Sequence, residues 1–166
     1  MKVTFEKLFD NTEDLKKYDL STPFETAALV ANVICSYRKD NKDNFFAMLQ
    51  YLMGDIQPIS NLLKQQIDDR MNQNNKWEYI GKSYFEGASK DNNYKPSIPY
   101  VIEVNENPYS YDNEGYARLL LRSSGADNER PITLRKAKDG KWLLWSDSIL
   151  GLLSDIRTPE KDNPWA

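Results

Sequence analysis

Glu103, Glu106, Asp112 and Glu114 fall within one stretch that contains no lysine or arginine. Facing carboxylates are the equipment of glycoside hydrolysis, and several together hold a hard cation. The spacing matches no calcium-binding loop, however. A plainer role is available, as solvated loop and edge-strand charges that discourage edge pairing. Asp68 and Asp69 are adjacent on a helical pattern, point to different sides of it and do not converge. Other routes to catalysis are closed. The chain has no histidine, which excludes Ser-His-Asp and Cys-His nucleophiles and imidazole-built metal sites. Cys35, the one cysteine, lies in an apolar helical stretch and reads as a small buried hydrophobe rather than a reactive thiol. No Walker-type loop or GxGxxG pattern occurs. No catalytic residue, metal ligand or cofactor is assigned.

Binding chemistry is better represented. From Arg118 to Lys141 there are seven basic residues against three acids (Asp127, Glu129, Asp139), a local charge of +4 just downstream of a local −4. Arg118 and Arg122 share a strand face, and Arg135 joins them from the next strand. A cationic sheet face binds a phosphate, a carboxylate or an acidic partner. Alternatively, the basic and acidic segments pair with each other across strands. Tyrosine occurs ten times, and Tyr84, Tyr94, Tyr100, Tyr109, Tyr111 and Tyr116 stand outside the periodic core. Tyrosines supply large contact area at low entropy cost. They equally serve to cover a sheet and to pin long loops through their hydroxyls. Nucleic acid is disfavoured, because the net charge is −3 and the RNA-recognition strand signature is missing.

Helices come first along the chain. Thr22-Pro23-Phe24-Glu25 is an N-terminal signature, with Thr22 as cap and Glu25 closing a capping box. The run from Ala27 to Cys35 is interrupted only by Asn32, which predicts a central helix covered on several sides. Phe45, Met48, Leu49 and Leu52 form an amphipathic stripe over Asp43–Met53, stopped by Gly54. A third helix starts near Pro58 and uses Ile59, Leu62, Leu63, Ile67 and Met71. Short connections predict that the three pack antiparallel to one another.

Strands follow. Lys76–Ile80 and Ser83–Glu86 are short and aromatic and read as strands. Pro99–Asn105, Tyr116–Ser123, Pro131–Ala137 and Trp142–Trp145 read as the main ones, the last two joined at Asp139-Gly140, the strongest hairpin signal in the chain. Ile149–Leu153 is a short helix or apolar loop, and Trp165 staples the tail to the body. Residues 1–20 are ambiguous between a helical turn and an extended segment. The pattern predicts an α+β domain with three N-terminal helices on one face of an antiparallel meander of about four strands. A cone-like roll, as in nuclear-transport-factor-like and cystatin-like proteins, fits it by fold analogy. One domain is expected over 1–166, with an N-terminal segment 1–20, a helical part 22–73, a sheet part 76–157 and a tail 158–166. Hydrophobic residues make up 40% and charged residues 28%, ordinary globular composition. No stretch approaches the roughly 18 apolar residues of a membrane span, and a cytoplasmic location is expected.

Several strings resemble one family: Ser83-Tyr-Phe-Glu-Gly-Ala, Asn92-Asn-Tyr-Lys-Pro-Ser-Ile-Pro-Tyr100 and Asn107-Pro-Tyr-Ser-Tyr111. The resemblance continues at Gly115-Tyr-Ala-Arg-Leu, Ser124-Gly-Ala-Asp, Arg130-Pro-Ile-Thr-Leu-Arg-Lys136, Trp142-Leu-Leu-Trp145, Ile156-Arg157 and Asn163-Pro-Trp-Ala. Over Phe24 to Ala166 the chain resembles an uncharacterised bacterial family, the domain of unknown function numbered 6935, common in Gram-positive anaerobes. Many members carry Asp where this chain has Asn163. The resemblance implies a bacterial cytoplasmic protein or module and supplies no activity, cofactor or catalytic residue.

Two functions are consistent with these residues. One is a non-catalytic interaction or accessory module that recognises another protein through Tyr84, Tyr94, Tyr100, Arg118, Arg122 and Arg135. The other is a small-ligand or carboxylate-based enzyme pocket inside the concave face of the roll. Replacing Arg118, Arg122 and Arg135 together by alanine is expected to abolish partner binding with the melting temperature nearly unchanged. Unaltered binding would remove this patch from consideration.

Overall fold

The computed structural model describes residues 1–165. Its centre is helix α1 (Pro23–Ile34), opened by Pro23 at the first turn and by Thr22, whose hydroxyl accepts from the Glu25 N–H. Glu25 does not close the box on Thr22; its carboxylate accepts the Leu20 N–H instead, at 2.9 Å. Ala27–Ala31, Val33 and Ile34 have no accessible surface. No water-sized void therefore adjoins them, and the concave side of the roll is filled here by side chains rather than by a ligand cavity. Full burial of each larger side chain contributes roughly 1.5–3 kcal/mol.

The sheet has five strands, one more than the sequence pattern predicts: β1 (Lys2–Phe5), β2 (Tyr100–Asn105), β3 (Tyr116–Leu121), β4 (Arg130–Lys136) and β5 (Trp142–Leu144). All neighbours are antiparallel, in the order β1-β2-β3-β4-β5. β1 is the extra strand, from the ambiguous N-terminal segment. It is short, and its pairing partner lies about a hundred residues away, so local periodicity could not reveal it. α1 touches all five strands, and the sheet curls round it as the predicted roll. Ile102, Val104, Ala117, Leu119, Leu121, Ile132, Leu134 and Leu144 point inward and are fully buried. Glu103, Tyr116, Arg118, Thr133, Arg135 and Leu143 alternate with them and face outward.

Helices α2 (Asp43–Met53) and α3 (Asn61–Asn72) complete the core. α2 buries the predicted Phe45, Met48, Leu49 and Leu52 and packs on α1. α3 begins later than Pro58, at the Ser60 cap, and buries Leu63, Ile67 and Met71 while Leu62 stays exposed. Tyr37, just past α1, donates its hydroxyl to Asp68 of α3 at 2.7 Å, and Lys42 at the head of α2 pairs with the same carboxylate at 3.2 Å. One acid within α3 thus ties the end of α1 and the start of α2 to that helix.

The two aromatic segments read as strands are 3-10 turns instead, Gln73–Glu78 and Gly81–Tyr84, followed by a single bridge from Phe85 to Ile102. Asn74 and Asn75 adopt positive φ, and Gly81 presses on the end of α1 so closely that a Cβ there would meet the Cys35 Sγ at 2.6 Å. This docking overrides the β preference of the aromatics. Ser148–Leu152 is likewise a 3-10 turn, with Ile149 and Leu152 buried. Trp165 is 91% exposed and staples nothing. The tail is held by Tyr94, whose hydroxyl donates to the Arg157 carbonyl at 2.6 Å, and by the Lys161 N–H bonding Asn93.

Asn32 explains the single polar interruption of α1. It is wholly buried; its Oδ1 accepts the Phe9 N–H at 3.0 Å and its Nδ2 donates to the Lys7 carbonyl at 3.1 Å. These bonds fasten the arm that follows β1. Asn32→Ala orphans both main-chain groups and is expected to cost about 3 kcal/mol, seen as a lower urea midpoint with an unchanged slope. A cost below about 1 kcal/mol would show that the arm is held by packing alone.

Candidate functional site

The outer sheet face carries one ordered polar–aromatic cluster. Register places Tyr116 of β3 and Leu143 of β5 on either side of Arg135 in β4. Trp145 follows two residues after Leu143 and returns to the same face, its N–H bonding the Thr133 carbonyl at 3.0 Å. The Arg135 guanidinium lies 5.0 Å from the Tyr116 ring centre and 4.6 Å from that of Trp145. The two rings meet edge to face, 5.6 Å apart. Each ring face presents negative charge density to the cation. Arg135 remains exposed while both rings are half-buried.

Open grooves flank the cluster. On one side a groove of about 590 Å³ is walled by Ile56, Leu143 and Trp145 and rimmed by Arg135, Lys136 and Lys138. Ile56 stands out, 78% exposed. On the other side a cleft of about 390 Å³ lies among Tyr109, Asp112, Tyr116, Arg118 and Trp145. Exposed Tyr109 and Tyr111 crown the loop beside it. That loop is fixed by its own bonds: Ser110 accepts the Asn107 N–H, and the Arg118 N–H donates to the Ser110 carbonyl.

The six residues that the sequence marks do not form one surface. Arg118 and Arg135 do come together here, offset by one cross-strand pair. Arg122 sits four residues along the strand, about 13 Å away. There it pairs with Glu103 at 3.9 Å and lines another cleft, beside the Lys2–Glu86 ion pair. Tyr100 is half-buried, edge-on to Phe85 at 5.8 Å. Tyr84 and Tyr94 are core residues and offer nothing to a partner. The Tyr84 hydroxyl donates to the Leu152 carbonyl at 2.5 Å, and Tyr94 stacks on Tyr79 at 5.3 Å. They follow the other reading of the tyrosines, as loop-pinning groups. Trp145 and Tyr116 are the members that the sequence pattern did not join to Arg135; a two-residue count from the Asp139-Gly140 hairpin misses Trp145 by one position, and Tyr116 reaches Arg135 only through the β3–β4 register.

The carboxylates of the acidic stretch also disperse. Glu103 turns to Arg122, and the phenol of Tyr111, pushed up to about 12 by desolvation first, has the Glu106 carboxylate as its nearby charge. Among the described residues no three acid or cysteine side chains are placed to hold a metal ion. Cys35 is buried, which pushes its thiol up to about 12.

Strand, three helices and a four-strand meander, with the first strand completing the sheet, define an α+β roll wrapped on one helix. The chain belongs to the family named domain of unknown function 6935, whose family model matches residues 5–160. No curated protein and no solved structure gave a significant match. No helix among the described residues is long and apolar enough to cross a membrane.

Burial also pushes the Tyr94 phenol up to about 12 from an ordinary value of 10.0. An acid that ionises less readily when folded stabilises fully below its unfolded pKa, and that contribution is lost as pH rises through the folded value. Cys35 and Tyr94 have the same sign. Unfolding free energy is therefore expected to fall as pH rises from about 9 to about 12. Tyr94→Phe removes one such group and should flatten the alkaline decline, read from urea titrations across that range. An equally steep decline in the variant would show that the Tyr94 phenol is not shielded.

Proposed function

We propose that this protein is a non-catalytic interaction module of the bacterial cytoplasm that binds another protein through the outer sheet face. The observation that carries the reading is the Trp145–Arg135–Tyr116 cluster between two open grooves. Tryptophan, tyrosine and arginine are the residue types that dominate interface energetics. Here they are ordered in advance, so less side-chain freedom is lost on association. Arg118, Arg135, Lys136 and Lys138 outnumber Asp112 and Asp139 around the grooves. The partner surface that complements them is acidic with apolar side chains for the Ile56–Trp145 groove. The reading accounts for an exposed isoleucine and ordered surface aromatics in a chain without histidine or a metal cluster among its described residues.

The test is affinity capture from a lysate of the native host. Trp145→Ala with Arg135→Ala is expected to weaken capture of the partner about thirty-fold or more, the effect of losing a central hot spot. Arg122→Ala, on the other cleft, should leave it unchanged. Equal capture by the double variant, or loss with Arg122→Ala alone, would overturn the assignment of this face.

A further inference from the structure

We propose that a separate cleft at the C-terminal end of α1 binds a small phosphorylated molecule. Three cations from distant parts of the chain line it: Arg38 after α1, Lys82 in the Gly81–Tyr84 turn and Lys161 in the tail. Its volume is about 340 Å³, and Glu78 is the one acid in its lining. The chain holds more acids than bases, and Lys2, Lys7, Lys16, Lys42, Lys90, Arg122 and Arg157 all have carboxylate partners. Among the described residues Arg38, Lys82 and Lys161, like twelve other lysines and arginines, have none within 4.0 Å, and these three share one concavity. Like charges left around one concavity repel each other until an anion enters.

The cleft is built rather than incidental. Arg38 is anchored by one nitrogen, Nη1, which donates to the Cys35 carbonyl at 2.8 Å and to the Tyr37 carbonyl at 3.0 Å. That leaves its Nη2 and Nε protons for a ligand, in a fork suited to phosphoryl oxygens. Gly81 lets the Lys82 turn close on the end of α1, where any Cβ would collide with the Cys35 backbone nitrogen at 2.7 Å. The Trp77 ring forms a wall, and its indole N–H is buried with no acceptor. Three cations on three segments match a dianion with three terminal oxygens better than a carboxylate with two. The volume leaves room for a small organic body on the phosphate, within the usual range of ligand pockets.

Isothermal titration of the full chain with inorganic pyrophosphate, at ionic strength held constant with sodium chloride, tests this. Saturable binding at one site is expected, at least ten-fold weaker in Lys82→Gln and in Lys161→Gln and retained in Lys82→Arg. Melting temperatures of the unliganded variants should equal that of the wild type, since neither lysine has a structural partner to lose. Absence of saturable binding to the wild type, or equal affinity in both glutamine variants, would overturn the proposal. So would binding that sodium sulfate at equal ionic strength reproduces.

Discussion

Helix α1 is apolar on nearly every side, and such a helix has no stable place on a surface. The sheet, α2 and the Gly81–Tyr84 turn enclose it. The sheet curls so that all five strands reach it, α2 covers a further side, and Gly81 removes its own side chain so that the next turn can close the end. The two polar side chains buried within it face elements that need a bond. Thr26 donates to the Trp142 carbonyl at 2.7 Å, fixing β5, and Asn32 fixes the arm behind β1. The helix therefore holds both edges of the sheet, at opposite ends of the strand order.

Long connections are fastened in a similar way. Tyr37, Tyr84 and Tyr94 each bury a ring and direct the hydroxyl to a group far away in sequence: Asp68, Leu152 and Arg157. Burial raises all three phenols above their ordinary value, so they remain protonated donors at any physiological pH. A buried tyrosine of this kind supplies packing and a hydrogen bond together. It lets a chain of 166 residues keep its loops ordered without disulfides.

With the inner face committed to α1, the outer face is free to vary. Alternation along each strand puts Arg118, Thr133, Arg135, Leu143 and Trp145 there together. The cluster rests on rigid strands, which position it better than loops would. The cleft beside Arg38 has a different construction: three segments meet where α1 ends, and the charges come from the junction rather than from a strand face. Each surface can change without disturbing the other, because no residue lines both.

Much of the scaffold was legible in the sequence. Capping at Thr22, the α2 stripe, the Gly54 stop and the alternation in β2, β3 and β4 are local signals, set by periodicities of 3.6 and 2. β1 was not legible, because a four-residue strand acquires its meaning only from a partner a hundred residues on. Tyr84 and Tyr94 carry the same residue type as Tyr116, and nothing local separates a buried tyrosine from an exposed one. The outer cluster depended on a single residue of register. A two-residue loop at Asp139-Gly140 would pair Lys138 with Lys141 and bring Trp145 opposite the inward Leu134. Instead Ala137 and Lys141 close a three-residue loop, with Gly140 at φ 90°, and Trp145 turns outward beside Thr133. A slip of one residue exchanges the faces of a strand. The sequence by itself determined the class of fold and the enclosure of α1, since burial of an all-apolar helix admits few arrangements. Only the tertiary structure decided which charges and rings meet, because those meetings are fixed by pairings between segments that carry no local mark of each other.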